Sequence, residues 1–576
     1  MEYKNETKQC QNCRKDFTIE PDDFAFYETM KVPPPTFCFG CRTQRRYLFR
    51  NERELYKRKC DATGQQILSM YSESSDYKVY DKEYWWSDKW DAIEYGQDYN
   101  FDKPFFEQCE NLFSSVPALA LSNRNPVNSD YCNFASGNKD CYLLTAGGFN
   151  ERVLYSNRPM YSKESLDGYI IEKCELCYEC LYCQGCYHLF FSKDCESCVD
   201  GAFLYNCRGC VNCFGCTNLR NKQYCLFNKQ YTKEEYQEKI KQFDLGGFKA
   251  LCAFKTKIAD EVLKNNIHKF AETINCTNSS GDHIRNAKNC HWCFDMGGDK
   301  NENCKFIAWG GFVEKDSYDT GPGAGYGGEL IYETIDTVSV SRLLSCVTAD
   351  YCSDLSYCIN CYNSEHLFGC INLRSKKYCI LNKQYTKEEY EALVPKIIQH
   401  MNDMPYIDKK GGVYKYGEFF PAELSPFAYN ETIAQEYFPL GKEQAIEQGY
   451  DWKEPEEKNY KIDLKSEDLP DHIKDINDDI VGKVIECSHK GKCNHQCTTA
   501  FKIIKEELQF YRKMNLPLAR LCPNCRHYER LKQRNPLKLW HRKCMKPGCE
   551  NEFETSYASD RPEIVYCEKC YNEEVA

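Results

Sequence analysis

From Cys132 to Cys225 every cysteine stands a multiple of three residues from every other. Chance placement rarely gives that, so this segment is a repeat. Cut at twelve residues it reads CELCYECLYCQG from Cys174, CYHLFFSKDCES from Cys186, CVDGAFLYNCRG from Cys198 and CVNCFGCTNLRN from Cys210, with Cys first each time. A period of three drifts around a helix of 3.6 residues per turn, which excludes an amphipathic helix. Every third position tends to be Cys, Leu or Gly, with Asn, Asp, Ser and Lys between. Small side chains stacked inward along narrow coils fit a β-solenoid, where ladders between rungs satisfy the backbone and thiols fill a thin interior.

Two rivals compete for the run Cys174, Cys177, Cys180, Cys183 and Cys186: an iron–sulfur cluster and a polythiolate or redox metal store. Ferredoxin-type clusters vary their spacing and end in Cys-Pro, whereas here the spacing is constant and no Pro follows. The repeat is also duplicated. FGCTNLRNKQYCLFNKQYTKEEY from Phe214 returns as FGCINLRSKKYCILNKQYTKEEY from Phe368. The second lobe keeps the period of three at Cys346, Cys352, Cys358, Cys361, Cys370 and Cys379 but has fewer thiols, which favours packing over metal as the shared requirement. Thr232 with Glu235, and Thr386 with Glu389, match the capping box, so each lobe is expected to end in a helix over its last rung.

At 576 residues the chain exceeds one compact core, and its 40 Cys need an explanation beyond ordinary burial. No basic stretch followed by an apolar run opens the sequence, and no segment offers about 18 uninterrupted apolar residues. The expectation is a cytoplasmic protein without membrane contact, in which thiols serve as metal ligands or stay free.

The ends carry the metal-ligating pattern. Cys10-X2-Cys13 with Cys38-X2-Cys41 places two knuckles around one tetrahedral zinc ion. Cys544-X4-Cys549 with Cys567-X2-Cys570 repeats the logic across a short hairpin. Between them, Cys493, Cys497, Cys522 and Cys525 form the favoured third set, with Cys487, His489 and His495 as spare ligands. FCFGCRTQRRYLFRNERELYKRKC, ending at Cys60, lines up without gaps with LCPNCRHYERLKQRNPLKLWHRKC, ending at Cys544, so the ends are copies of one module. After Cys60 the copies part. Asp81 and Tyr84 stand where Cys567 and Cys570 would be, and Tyr80, Tyr84, Trp85, Trp86 and Trp90 are expected to hold a metal-free finger by packing. Three structural zinc ions follow.

The segment CRKDFTIEPDDFAFYETMKVPPPTFCFGCR resembles the treble-clef zinc-ribbon module of many bacterial proteins, and the whole chain resembles Cys-rich proteins of small-genome candidate-phyla bacteria. The resemblance implies zinc binding and no particular activity. The organisation expected is therefore multidomain and mainly β, with zinc-ribbon modules flanking two capped solenoid lobes. It divides into 1–60 zinc ribbon, 61–100 metal-free finger, 101–245 first lobe, 246–401 second lobe, 402–484 acidic and aromatic connector, 485–543 zinc ribbon and 544–576 finger.

The net charge of −11 is uneven: residues 1–60 and 485–576 come to about +4 and about +5, leaving roughly −20 between them. A basic helix is expected after each knuckle pair, presenting Arg42, Arg45, Arg46 and Arg50 at one end and Arg526, Arg530 and Arg534 at the other. Arginines at helical spacing can grip phosphates of RNA, DNA or a ribonucleoprotein. The plainer reading has them paired with acids such as Glu52 and Glu54, which leaves the solenoid faces to bind protein partners. No Ser/His/Asp set, phosphate loop or His-Glu-X-X-His helix is present, so no enzyme is expected.

Overall fold

The computed structural model describes residues 3–323, 326–454 and 460–575. The first lobe winds in coils of twelve residues, pairing Tyr169 with Leu181, Tyr187 with Val199, Val199 with Val211 and Val211 with Gln223, all parallel. A left-handed residue recurs at every third position, among them Lys173, Leu176, Glu179 and Tyr182, each just before an inward Cys. These turns fold twelve residues into four short sides, and the ladder between coils holds conformations that L-residues otherwise disfavour.

The thiols have a specific task in this geometry. Ladder bonds use the N–H of Lys173 and Glu175 or of Leu176 and Tyr178, but not that of the inward residues Cys174 or Cys177. The side chain one coil below takes the inward N–H instead: Asn150 N–H donates to Asn138 (3.0 Å), Ser162 N–H to Asn150 (2.9 Å) and Cys174 N–H to Ser162 (3.2 Å). Where Cys fills the rung, sulfur accepts, as from Asn228 N–H to Cys216 (3.4 Å) and Asn382 N–H to Cys370 (3.5 Å). The thiol in turn donates to carbonyls, Cys174 to Glu172 O (3.4 Å) and Cys183 O (3.3 Å). Asn, Ser and Cys are small and can both accept and donate, so they suit these rungs, which they share with the apolar Ile171, Leu189 and Leu204.

The second lobe is less regular. Thr273 pairs with Ile284, Ala287 with Asn301, Glu302 with Lys315 and Glu314 with Gly328, so its early coils vary between 11 and 14 residues before settling at twelve from Gly328 with Val340. Residues ahead of it, expected to belong to this lobe, form the helix Phe248–Lys257 and the π-turn Ile258–Leu263, whose Leu251 and Ile258 pack on the first lobe's apolar cluster. Both end caps form as helices, Lys233–Ile240 and Lys387–Asp403, each with its reciprocal capping box. Tyr236 meets Tyr224, and Tyr390 meets Tyr378, with ring centroids 5.8 Å apart in both lobes.

Each lobe begins on a finger, but not on the finger next in sequence in both cases. Val79–Tyr80 of the finger that follows Cys60 pairs with Ala118–Leu119 at the head of the first lobe. Ile564–Tyr566, near the end of the chain, pairs with Ile267–Lys269 at the head of the second. The equivalent bonds, Ala120 N–H to Tyr80 O and Phe270 N–H to Tyr566 O, are both 3.0 Å. The molecule is thus two copies of one unit (module, finger, lobe, cap), the second copy circularly permuted. The connector docks as its aromatics suggest: Phe419 and Phe420 are fully buried against Phe49, and Tyr429 beside Tyr450. Among the described residues no helix is long and apolar enough to cross a membrane.

Candidate metal centres

Four sulfurs at about 2.3 Å from one tetrahedral ion lie about 3.8 Å apart. The terminal cysteines adopt that spacing, well beyond the roughly 2.05 Å of a disulfide. Cys10, Cys13, Cys38 and Cys41 converge with all ligand atoms within 4.8 Å, Cys13 Sγ lying 3.7 Å from Cys38 Sγ. Cys544, Cys549, Cys567 and Cys570 converge likewise, with Cys549 and Cys567 3.9 Å apart. Each group can hold a metal ion. Cys38 caps the helix Phe39–Tyr47 and Cys41 sits in its first turn, so unpaired N–H groups of the helix face the sulfurs. Cys10 Sγ accepts from Cys38 N–H (3.3 Å) and Cys41 Sγ from Asn12 (3.4 Å). At the other end burial opposes ionisation of Cys567, but hydrogen bonds from Asn551 and from the Cys570 N–H bring it down to about 6. Four protein sulfurs close such a site and leave no position for an activated water.

The third centre corrects the expected ligand set. Cys497, Cys522 and Cys525 are joined by Cys487, not Cys493. Cys487 Sγ lies 3.8 Å from Cys525 Sγ, and Cys522 Sγ lies 3.9 Å from Cys497 Sγ. Cys487 is the counterpart of Cys10. Each directly follows the first strand of a short antiparallel hairpin, and each sulfur accepts from the N–H of the helix-capping cysteine at 3.3 Å. Gap-free counting from Cys497 hid the match, because nine residues separate Cys487 from Cys497 where two separate Cys10 from Cys13. The strand directly preceding each cysteine was the usable signal. Cys493 stands to one side with His489 and His495, and burial, reinforced by Lys532, lowers the His495 pKa.

The Cys60 finger keeps the frame of the four-cysteine finger. The hairpin Tyr56–Lys59 with Gln66–Ser69 matches Trp540–Lys543 with Glu552–Thr555. Asp81 N–H donates to Cys60 Sγ at 3.3 Å, as Cys567 N–H does to Cys544 Sγ. Where a metal would tie the sulfurs, the Cys60 thiol donates to Asp81 Oδ2 (3.1 Å) and Asp81 caps the helix Lys82–Trp86. Trp85 is fully buried against Trp90 and Tyr362, while Trp86 lies at the surface over Tyr362.

Six of the seven arginines expected to grip phosphates, all but Arg534, are buried inside the molecule. The first basic helix, Phe39–Tyr47, ends before Arg50, and Arg42, Arg45, Arg46 and Arg50 are at most 4% exposed. Arg42 and Arg46 bracket Asp319 of the second lobe at 2.8 and 3.2 Å, and Arg45 bridges Glu333 (3.2 Å) and Glu418 (3.1 Å). Arg50 pairs with Glu52 (2.8 Å). At the other end Arg526 and Arg530 bracket Asp167 of the first lobe at 3.1 and 2.7 Å, and Arg526 also meets Glu507 (3.0 Å). Arg534 donates to the Tyr169 hydroxyl (3.0 Å) and lies over the Tyr437 ring. Each module therefore docks on the lobe of the opposite unit. Buried guanidinium forks need carboxylate partners, and the acidic middle supplies them.

No family model matches the chain, and no curated protein is similar to it.

The ladder thiols differ from the terminal ones. Among the described residues no three of their sulfurs come within 4.8 Å of one another. Burial pushes Cys132 up to about 12 and Cys141 to about 11, so both stay protonated donors.

Proposed function

We propose that this protein is a non-catalytic scaffold in which zinc-holding thiolate centres clamp two solenoid lobes into one body, leaving the outer solenoid faces to meet protein partners. The observation that carries the reading is the crossed docking of the modules. Arg42 with Arg46 on Asp319, and Arg526 with Arg530 on Asp167, spend on internal ion pairs the very side chains that would otherwise grip phosphates. Thiolate quartets suit this structural role, since zinc supplies folding energy to modules that lack cores of their own. Their resemblance to treble-clef modules supports zinc as the metal, and a reducing cytoplasm would keep the ligands available. On the first lobe Phe149 and Tyr161 are exposed and stack one coil apart at 5.2 Å, an apolar strip suited to a protein partner.

Elemental analysis and native mass spectrometry of the intact chain test the reading. At least three zinc ions per chain are expected, and chelation at neutral pH should release both modules to protease and abolish the cooperative thermal transition. A chain that carries no metal, or melts identically after chelation, overturns the clamp. Salt-sensitive RNA or DNA affinity at sub-micromolar levels would restore the phosphate-binding alternative.

A further inference from the structure

The nine residues between Cys487 and Cys497 have no equivalent at the N-terminal clamp, and they hold three potential ligands. His489, Cys493 and His495 converge with Cys525 so that one ligand atom from each lies within 4.8 Å of the others. Cys493 Sγ stands 3.7 Å from Cys525 Sγ, the edge length found in the clamps. The Nδ1 atoms of His489 and His495 are buried without a hydrogen-bond partner, and Glu529 stands 3.8 Å from His495 Nδ1, beyond hydrogen-bond reach. Both rings are held: His495 stacks parallel on Tyr528 at 5.3 Å, and His489 meets His495 edge-on at 5.3 Å. Two imidazole nitrogens and two cysteine sulfurs form a set that zinc takes in closed tetrahedral sites.

Cys525 belongs to both groups, and a thiolate sulfur has lone pairs enough for two metals. We infer that this end of the chain holds a two-metal cluster, with a second zinc ion bound by His489, Cys493 and His495 and sharing Cys525 Sγ as a bridge with the clamp ion. Charge favours the pair. One divalent ion among four thiolates carries two negative charges, whereas two ions among five thiolates and two imidazoles carry one, so the second ion eases the burial of charge. This inference rests on the clamps holding metal. It gives the two modules different metal contents, one ion at Cys10–Cys41 and two at Cys487–Cys525.

Counting zinc on the full chain by native mass spectrometry separates the possibilities. Four ions per chain are expected, falling to three in H489A/H495A and in C493S, both of which retain Cys487, Cys497, Cys522 and Cys525. In the cobalt-substituted chain the same variants should lose the absorption component of the mixed nitrogen and sulfur site while keeping that of the four-sulfur sites. Three ions in the unaltered chain, or four that persist in both variants, overturn the bridge and leave the clamps standing. No metal at all removes the clamp reading with it.

Discussion

The two units use the same parts, yet they close their fingers differently. One brings the sulfurs of Cys544, Cys549, Cys567 and Cys570 within 4.8 Å of one another, whereas the other keeps only Cys60 and hydrogen-bonds it to Asp81 within a cage of Tyr80, Tyr84, Trp85 and Trp90. The backbone N–H to sulfur bond is 3.3 Å in both. A thiolate centre is thus one solution to holding a hairpin against a short helix. Aromatic burial is another where a solenoid lobe lies close enough to cover it, as Tyr362 covers Trp85.

The docking of the modules shows a second asymmetry and gives the largest expected effect. Asp167 is the carboxylate that faces Arg530, whereas Arg42 and Arg46 retain Glu333 at 3.8 and 3.5 Å if Asp319 is lost. Asp167→Ala should therefore cost about 3–5 kcal/mol in urea unfolding, the cost of stranding a buried charge, and Asp319→Ala clearly less. Equal losses would show that Glu333 does not compensate.

Next in size is the conversion of one finger into the other. Thr63, Asp81 and Tyr84 occupy the positions of Cys549, Cys567 and Cys570, so T63C/D81C/Y84C should raise the zinc count by one. It should also make residues 56–86 sensitive to chelator, as judged by hydrogen exchange. An unchanged count would mean that the aromatic cage has moved the frame beyond metal-binding geometry.

The smallest effect concerns the lobes. The irregular early coils of the second lobe enclose Glu314, 1% exposed, whose carboxyl accepts from Thr320 at 2.7 Å. Burial raises it to about 7 from an ordinary 4.5. A raised carboxyl stabilises the fold fully below its unfolded value, and that contribution is lost as pH rises through about 7. Glu314→Gln should therefore raise the melting temperature at pH 8 more than at pH 5. The same shift at both values would place the cost of Glu314 elsewhere.

What sequence could reveal follows from the range of each interaction. The period of three, the capping boxes at Thr232 and Thr386 and the knuckle spacing at Cys10, Cys13, Cys38 and Cys41 are fixed by neighbours within a coil, a helical turn or a hairpin, so residue order carried them. The basic stretch after each knuckle was legible as charge, but not its partner, because Asp319 lies 277 residues from Arg42 and Asp167 lies 363 from Arg530. Cys487 was hidden by an insertion, and the permuted pairing of Ile564–Tyr566 with Ile267–Lys269 joins segments nearly 300 residues apart. Sequence by itself determined the coils, their caps and the existence of thiolate centres, since each depends on local geometry. Only the tertiary structure decided where the arginines go, which cysteine completes the third centre and which finger heads which lobe. Those outcomes depend on which distant surfaces bury charge together.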